Sequence, residues 1–187
     1  MREARLPALE RKDMETARAR VDGDGVFSGY ASLFDRVDLS KDVVLRGAFA
    51  RSIRERGAGG VRMLYQHDPA QPIGVWLEMR EDERGLFVRG RLAPGVARAR
   101  EVLTLMRDGA LDGLSIGFKT VRARRDAATG VRRIAEADLW EISVVTFPML
   151  PGARVDRVKS MPLRTAALAE AIRAATRTIN PRRTRLP

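Results

Sequence analysis

Between Val26 and Phe147 the chain repeats one rhythm, and that rhythm limits what it can fold into. Short stretches rich in β-branched and aromatic residues are closed, again and again, by glycine, proline or a polar turn. Seven such stretches read as strands: VFSGYASLF (26–34), VRMLYQH (61–67), IGVWLEMR (73–80), GLFVRGRLA (85–93), GLSIGFKTVRA (113–123), GVRRIAEA (130–137) and LWEISVVTF (139–147). The third and fourth flank the charged turn EDERG and form a hairpin. DRVDLSKD (35–42) is polar and reads as a loop, and GAGG (57–60) as a flexible joint.

Two stretches break the strand rhythm. RGAFARSIRERG (46–57) spaces Phe49 and Ile53 by four and ends on Gly57, which predicts a short helix. PGVARAREVLTLMRDG (94–109) puts Ala99, Val102, Leu103 and Met106 on one stripe, with Pro94 near its start and Gly109 at its end. These helices sit between hairpins and do not alternate regularly with strands. The expected fold is therefore α+β, a mixed or antiparallel barrel-like sheet of about seven strands surrounded by helices. A doubly wound parallel sheet is disfavoured.

Charge divides the chain further. The net charge is +11, but residues 156–187 carry eight basic and two acidic residues, so +6 lies there; residues 1–20 contribute +2. The body is left near neutral. The expected organisation is a charged arm (1–20), one folded domain (21–157) and a basic, weakly helical or disordered tail (158–187). The tail has helical spacing through Leu168, Ile172 and Ala175 but few large apolar residues, so a helix there needs a partner. No stretch is apolar for the roughly 18 residues a membrane span needs, and the first twenty residues lack the apolar centre of a signal peptide. The expected location is cytoplasmic. With no cysteine in the chain, disulfides, thiolate catalysis and cysteine-ligated metals are excluded.

Within this frame one motif suggests chemistry. Gly113-Leu114-Ser115-Ile116-Gly117 spells G-x-S-x-G, the nucleophile elbow of α/β-hydrolases. That elbow joins a strand to a helix and precedes its histidine in the chain. Here the only histidine, His67, comes before Ser115, and the sequence after the serine continues as strand. The elbow reading fails. A triad in another order stays open, with His67 as base and Ser115 as nucleophile.

A third member must then be a carboxylate or be absent. Glu141 interrupts the apolar strand LWEISVVTF, where Leu139, Trp140, Ile142, Val144 and Val145 are all expected to be buried, and an unpaired carboxylate would be costly. Asp68 and Asp138 are alternatives. The plainer readings stand beside these: Ser115 as a bulge residue, His67 as an ordinary hydrogen-bonded side chain, and Glu141 on the solvent face of an edge strand. The two glycines are expected to let His67 and a substrate backbone approach the serine.

Taken together, GYASLFDRVDLSKDVVLRGAFARSI, MLYQHDPAQPIGVWLEMREDERGLFVRGRL, AREVLTLMRDGALDGLSIGF and LWEISVVTFPMLPGARV resemble the prohead proteases of tailed bacteriophages, whose fold is like that of herpesvirus assemblin. The resemblance implies a cofactor-free serine peptidase with His67 and Ser115 as the catalytic pair and Glu141 at the third position. Herpesvirus relatives place a second histidine there, and this chain has none. It further implies that the substrates are scaffolding protein, the scaffolding segment of the major capsid protein, and the protease itself, inside assembling proheads in the host cytoplasm, with self-association. PMLPGAR, after Phe147, is a candidate source of oxyanion donors. The tail reads as an arm that recruits the protease to scaffold and is removed by self-cleavage. Nucleic-acid contact through it is less favoured, because the charge is terminal and the body has few aromatic residues for stacking. The alternative to an enzyme is an inactive scaffolding component with the same fold and a basic interaction tail.

Overall fold

The structure is a computed structural model, and it describes residues 25–158. The expected arm at 1–20, and the tail beyond Val158, lie outside the described residues. Eight strands form one mixed sheet: β1 (Val26–Leu33), β2 (Asp42–Val44), β3 (Arg62–Tyr65), β4 (Asp68–Glu81), β5 (Gly85–Leu92), β6 (Gly113–Arg125), β7 (Arg132–Val145) and β8 (Val155–Val158). Two helices, α1 (Ala50–Arg56) and α2 (Ala97–Arg107), pack on it. The α+β, barrel-like expectation is met.

The hub is β7. One edge pairs antiparallel with β6 over nearly its whole length. Its other edge is shared: β2 pairs parallel with its first residues, and β3 pairs parallel with Glu141 to Val144. Helix α1 fills the gap between them. The Ser52 hydroxyl accepts the Leu139 N–H (2.9 Å), and the Ala48 carbonyl accepts the Ala137 N–H (2.9 Å), so β7 keeps its backbone satisfied where no strand reaches it.

From β3 the sheet continues through β4, β5, β1 and β8 and curls back toward β6. The Leu114 N–H donates to the Ala153 carbonyl (2.9 Å), the Val155 N–H to the Asp112 carbonyl (2.8 Å) and the Tyr30 N–H to the Arg154 carbonyl (3.0 Å). The chain entering β8 is thereby wedged between β6 and β1, and the curl closes. Its interior holds Phe27, Met63, Ile73, Leu86, Leu114 and Ile142, all essentially without exposure. Each such side chain contributes about 1.5–3 kcal/mol by leaving water. The predicted α2 stripe is buried through Ala99, Val102 and Met106, with Leu103 packed against the core.

The structure departs from the sequence reading at three places. The stretches at 130–137 and 139–147 are one strand, because nothing in "EADLWE" turns the chain and α1 supports the middle. β2 and β8 were not predicted; each is only three or four residues long and exists by pairing with a distant partner. Trp140, expected to be buried, is 55% exposed. Its ring lies under the Arg56 guanidinium and its N–H donates to Asp138, so it faces outward beside α1.

Candidate active site

His67 occupies the tightest turn in the described chain. Tyr65 and Asp68 pair directly, leaving Gln66 and His67 as a two-residue hairpin loop with φ of 53° and 61°. A loop of this type usually carries Asn-Gly, because both residues must adopt left-handed backbone. Here two residues with full side chains do so, and the strain is offset by ties to β7. The Gln66 N–H donates to the Val144 carbonyl (3.0 Å), its side-chain amide to the Thr146 hydroxyl (2.8 Å), and the His67 N–H to the Ser143 hydroxyl (3.0 Å). The imidazole is held at a fixed place over the end of β7.

Glu141 reaches that imidazole. Its Oε1 lies 2.6 Å from His67 Nδ1, and its Oε2 accepts the Ser143 hydroxyl at 2.6 Å. The carboxylate is 15% exposed and the imidazole 44%. With Nδ1–H committed to Glu141, Nε2 is the nitrogen left to exchange a proton elsewhere. The hydrogen bond that Glu141 accepts from Nδ1–H favours the charged imidazole and raises the His67 pKa above its ordinary value, against the opposing effect of burial. Of the three carboxylates considered from sequence, only Glu141 does this. Asp68 accepts the Ala70 N–H and the Gln71 amide, and Asp138 pairs with Arg56 and Trp140. The edge-strand reading of Glu141 is also overturned, since β7 lies inside the sheet.

Ser115 stands opposite Ser143 in the β6–β7 register, and Gly117 opposite Glu141. The Leu114 N–H points away from β7, so the alternate residue Ser115 makes its backbone bonds toward β7, and such a pair brings Cα atoms to about 5.5 Å. Ser115 is therefore one cross-strand step from the serine that touches both His67 and Glu141. The residue is 5% exposed, and its hydroxyl has no hydrogen-bond partner among the described residues. Of two neighbouring serines, Ser143 has its proton engaged by Glu141 and Ser115 does not.

The two glycines make room for neighbouring groups of β7 and the chain that leaves it. A Cβ on Gly117 would lie 2.1 Å from Glu141 Oε1 and 2.8 Å from its Cγ and Cδ, so the missing side chain makes room for the carboxylate. A Cβ on Gly113 would meet the Val145 carbonyl at 2.4 Å and the Pro148 ring at 2.9 Å. Gly113 thus lets the chain leaving β7 pass close to β6. Sequence reasoning also missed Ser143, although its spacing of two from Glu141 in a strand placed both on one face.

A cleft of about 430 Å³ reaches Ser115 from the open side of β6. Its walls include Leu33, Arg36, Ile116, Phe118, Met149 and Leu150, but not His67 or Glu141. The imidazole does not line this cleft. Among the described residues no cluster of side chains suits a metal ion, and no helix is long and apolar enough to cross a membrane.

The chain is similar to known proteins in sequence and in fold. The family model described as caudovirus prohead serine protease matches residues 12–166. The prohead protease of Enterobacteria phage HK97 is 35% identical over 139 residues, covering 73% of this chain and 61% of the relative. The prohead protease of Escherichia phage T5 is 31% identical over 99 residues, covering 53% and 46%. The chain thus spans less than two thirds of the length of either relative. Among solved structures, the capsid assembly protease of bacteriophage T4 matches with a TM-score of 0.54 at 15% identity, covering 64% of this chain and 80% of that one, a likeness of fold.

Proposed function

The chain belongs to the caudovirus prohead serine protease family, and on that premise we propose that it is a serine endopeptidase in which Ser115 is the nucleophile, His67 the general base and Glu141 the carboxylate that orients the imidazole. The observation that carries this reading is the 2.6 Å contact between Glu141 and His67 Nδ1, which leaves Nε2 as the exchanging nitrogen. In the acylation step Nε2 takes the Ser115 hydroxyl proton as Oγ attacks a peptide carbonyl carbon. The same proton passes to the departing amine as the C–N bond breaks. Water then attacks the acyl-serine, with Nε2 again as base, and the serine is restored. Glu141 accepts the Nδ1–H bond and favours the transient imidazolium.

The open edge of β6 supports an extended substrate. Leu114 turns its N–H outward, so two residues on Ile116 presents its N–H and carbonyl to the same side, along the cleft. A substrate segment can pair there as an added strand. Met149 and Leu150 share the cleft wall with Ser115, which favours backbone N–H groups of the 146–152 loop as donors to the oxyanion.

The named relatives are prohead and capsid assembly proteases, and the substrate class proposed here follows them: capsid or scaffolding protein, and the chain itself, within assembling proheads. The test is mass spectrometry of capsid protein co-expressed with this chain or its Ser115→Ala variant. The wild type is expected to yield shortened capsid protein and to lose residues from its own ends. The variant should leave both intact, since removing a nucleophile costs several orders of magnitude in rate. Continued cutting by purified Ser115→Ala protein overturns the assignment.

A further inference from the structure

Glutamate has a long side chain, and a hydrogen bond to one of its oxygens does not by itself fix where the carboxylate sits. In this site the second oxygen is also held. Ser143 is fully buried in β7, two residues beyond Glu141 on the same face of the strand. Its hydroxyl proton is directed at Glu141 Oε2 (2.6 Å), while its oxygen accepts the backbone N–H of His67 (3.0 Å). One side chain therefore ties the acid to the backbone of the residue that carries the base. On the other side of the carboxylate, Gly117 supplies the space that Oε1 occupies, where a Cβ would come within 2.1 Å.

We propose that Ser143 is a positioning residue: its hydroxyl, anchored by the His67 N–H, holds the Glu141 carboxylate against Nδ1 in the space left by Gly117. The inference takes the roles of His67 and Glu141 from the protease reading. Its main readout, however, is the titration of His67 and does not need turnover.

Two effects of removing the hydroxyl can be told apart. If Ser143 only draws charge from the carboxylate, deleting it leaves Glu141 in place and strengthens its hold on the imidazole proton. If Ser143 positions the carboxylate, deletion lets it swing away and weakens that hold. The charge acting on the imidazole is that of Glu141; Asp68, next in the turn, is turned to Ala70 and Gln71.

The full chain contains one histidine, so its imidazole NMR resonances titrate as a single residue. The titration is run on the Ser115→Ala chain, which cannot cut itself. Adding Ser143→Ala is expected to move the His67 midpoint down, toward that of Glu141→Gln. In the chain that keeps Ser115, Ser143→Ala is expected to lower kcat/KM about 10- to 100-fold, the usual scale for one hydrogen bond to a charged group. Gly117→Ala, which displaces the same carboxylate from the other side, should lower the midpoint as well, and it decides the matter if Ser143→Ala does not fold. Ser52→Ala removes a buried hydroxyl that only joins α1 to β7, and should cost stability without moving the midpoint. A midpoint unchanged or raised in the folded variants overturns the proposal. If the parent chain cut nothing, the protease reading would fall while the titration still tested this one.

Discussion

At one end of the β6–β7 ribbon Arg132 forms a forked ion pair with Asp42 of β2, and Arg122 faces Glu136 at 3.8 Å across the two strands. At the other end Glu141 meets His67 and Ser143, and the intervening residues Leu114, Ile142 and Val144 have no exposure. The same pair of strands carries both. At the far end each carboxylate faces an arginine, whose charge is permanent, and water screens the more exposed partners. At the near end the carboxylate faces a group that can lose its charge, at an exposure close to that of the Arg132–Asp42 pair. A polar pair of the first kind can only hold the ribbon together. One of the second kind can hold a proton and release it.

Altering the near end should therefore change chemistry, and altering the far end should change only stability. The largest effect after loss of Ser115 is expected for Glu141→Gln, which keeps the shape but not the charge. Its kcat/KM should fall about 10²- to 10⁴-fold with little change in urea midpoint, by analogy with removal of the orienting carboxylate from other triads. An unaffected rate would remove Glu141 from the mechanism.

The pH dependence follows from the same pair. His67 must be neutral to accept the serine proton, and Glu141 raises its pKa. The acid limb of kcat/KM should thus lie above the ordinary imidazole pKa and move to lower pH in Glu141→Gln. Stability runs the other way. A raised pKa in the folded state gives a contribution that is complete below the unfolded-state pKa and is lost as pH rises through the folded one. Conditions that activate the base therefore weaken the ion pair. An acid limb at the same pH in both proteins would contradict this coupling.

The far end gives the smallest effects. Arg132→Ala is expected to cost about 1–3 kcal/mol, because Asp42 would be left 10% exposed without its partner. Arg122→Ala should cost less than about 1 kcal/mol, its side chain being 69% exposed. Urea denaturation reads both; Arg122→Ala should leave kcat/KM unaltered, whereas Arg132 also lines the cleft that reaches Ser115 and is read for stability alone. A rate defect comparable to that of Glu141→Gln would mean that the two ends are not separate.

Much of this was legible in the sequence because it is local. Alternation gave most of β1 and β3 to β6, spacing of three and four gave both helices, and the order of His67 and Ser115 disposed of the elbow. What was not legible depends on pairing across the chain. β2 is three residues whose strand character exists only against Arg132 to Ile134. Trp140 sits in an apolar run yet faces out, since its place beside Arg56 is set by where α1 docks. The site divides in the same way. A carboxylate within an apolar strand marked Glu141, but the purpose of Gly117 is visible only once β6 and β7 are in register. Ser143 could have been found by its spacing of two from Glu141, and was hidden by being an ordinary residue in an apolar run.

The two serines that face each other across β6 and β7 offer the sharpest test of the triad. A fluorophosphonate reacts with a serine hydroxyl that a neighbouring base activates, forming a phosphonyl ester and releasing fluoride. After treatment of the full chain, proteolytic mapping by mass spectrometry should find one adduct, on the peptide containing Ser115, and none in His67→Ala protein. An adduct on Ser143, or no adduct on a preparation that still cuts capsid protein, would contradict the assignment of Ser115, His67 and Glu141.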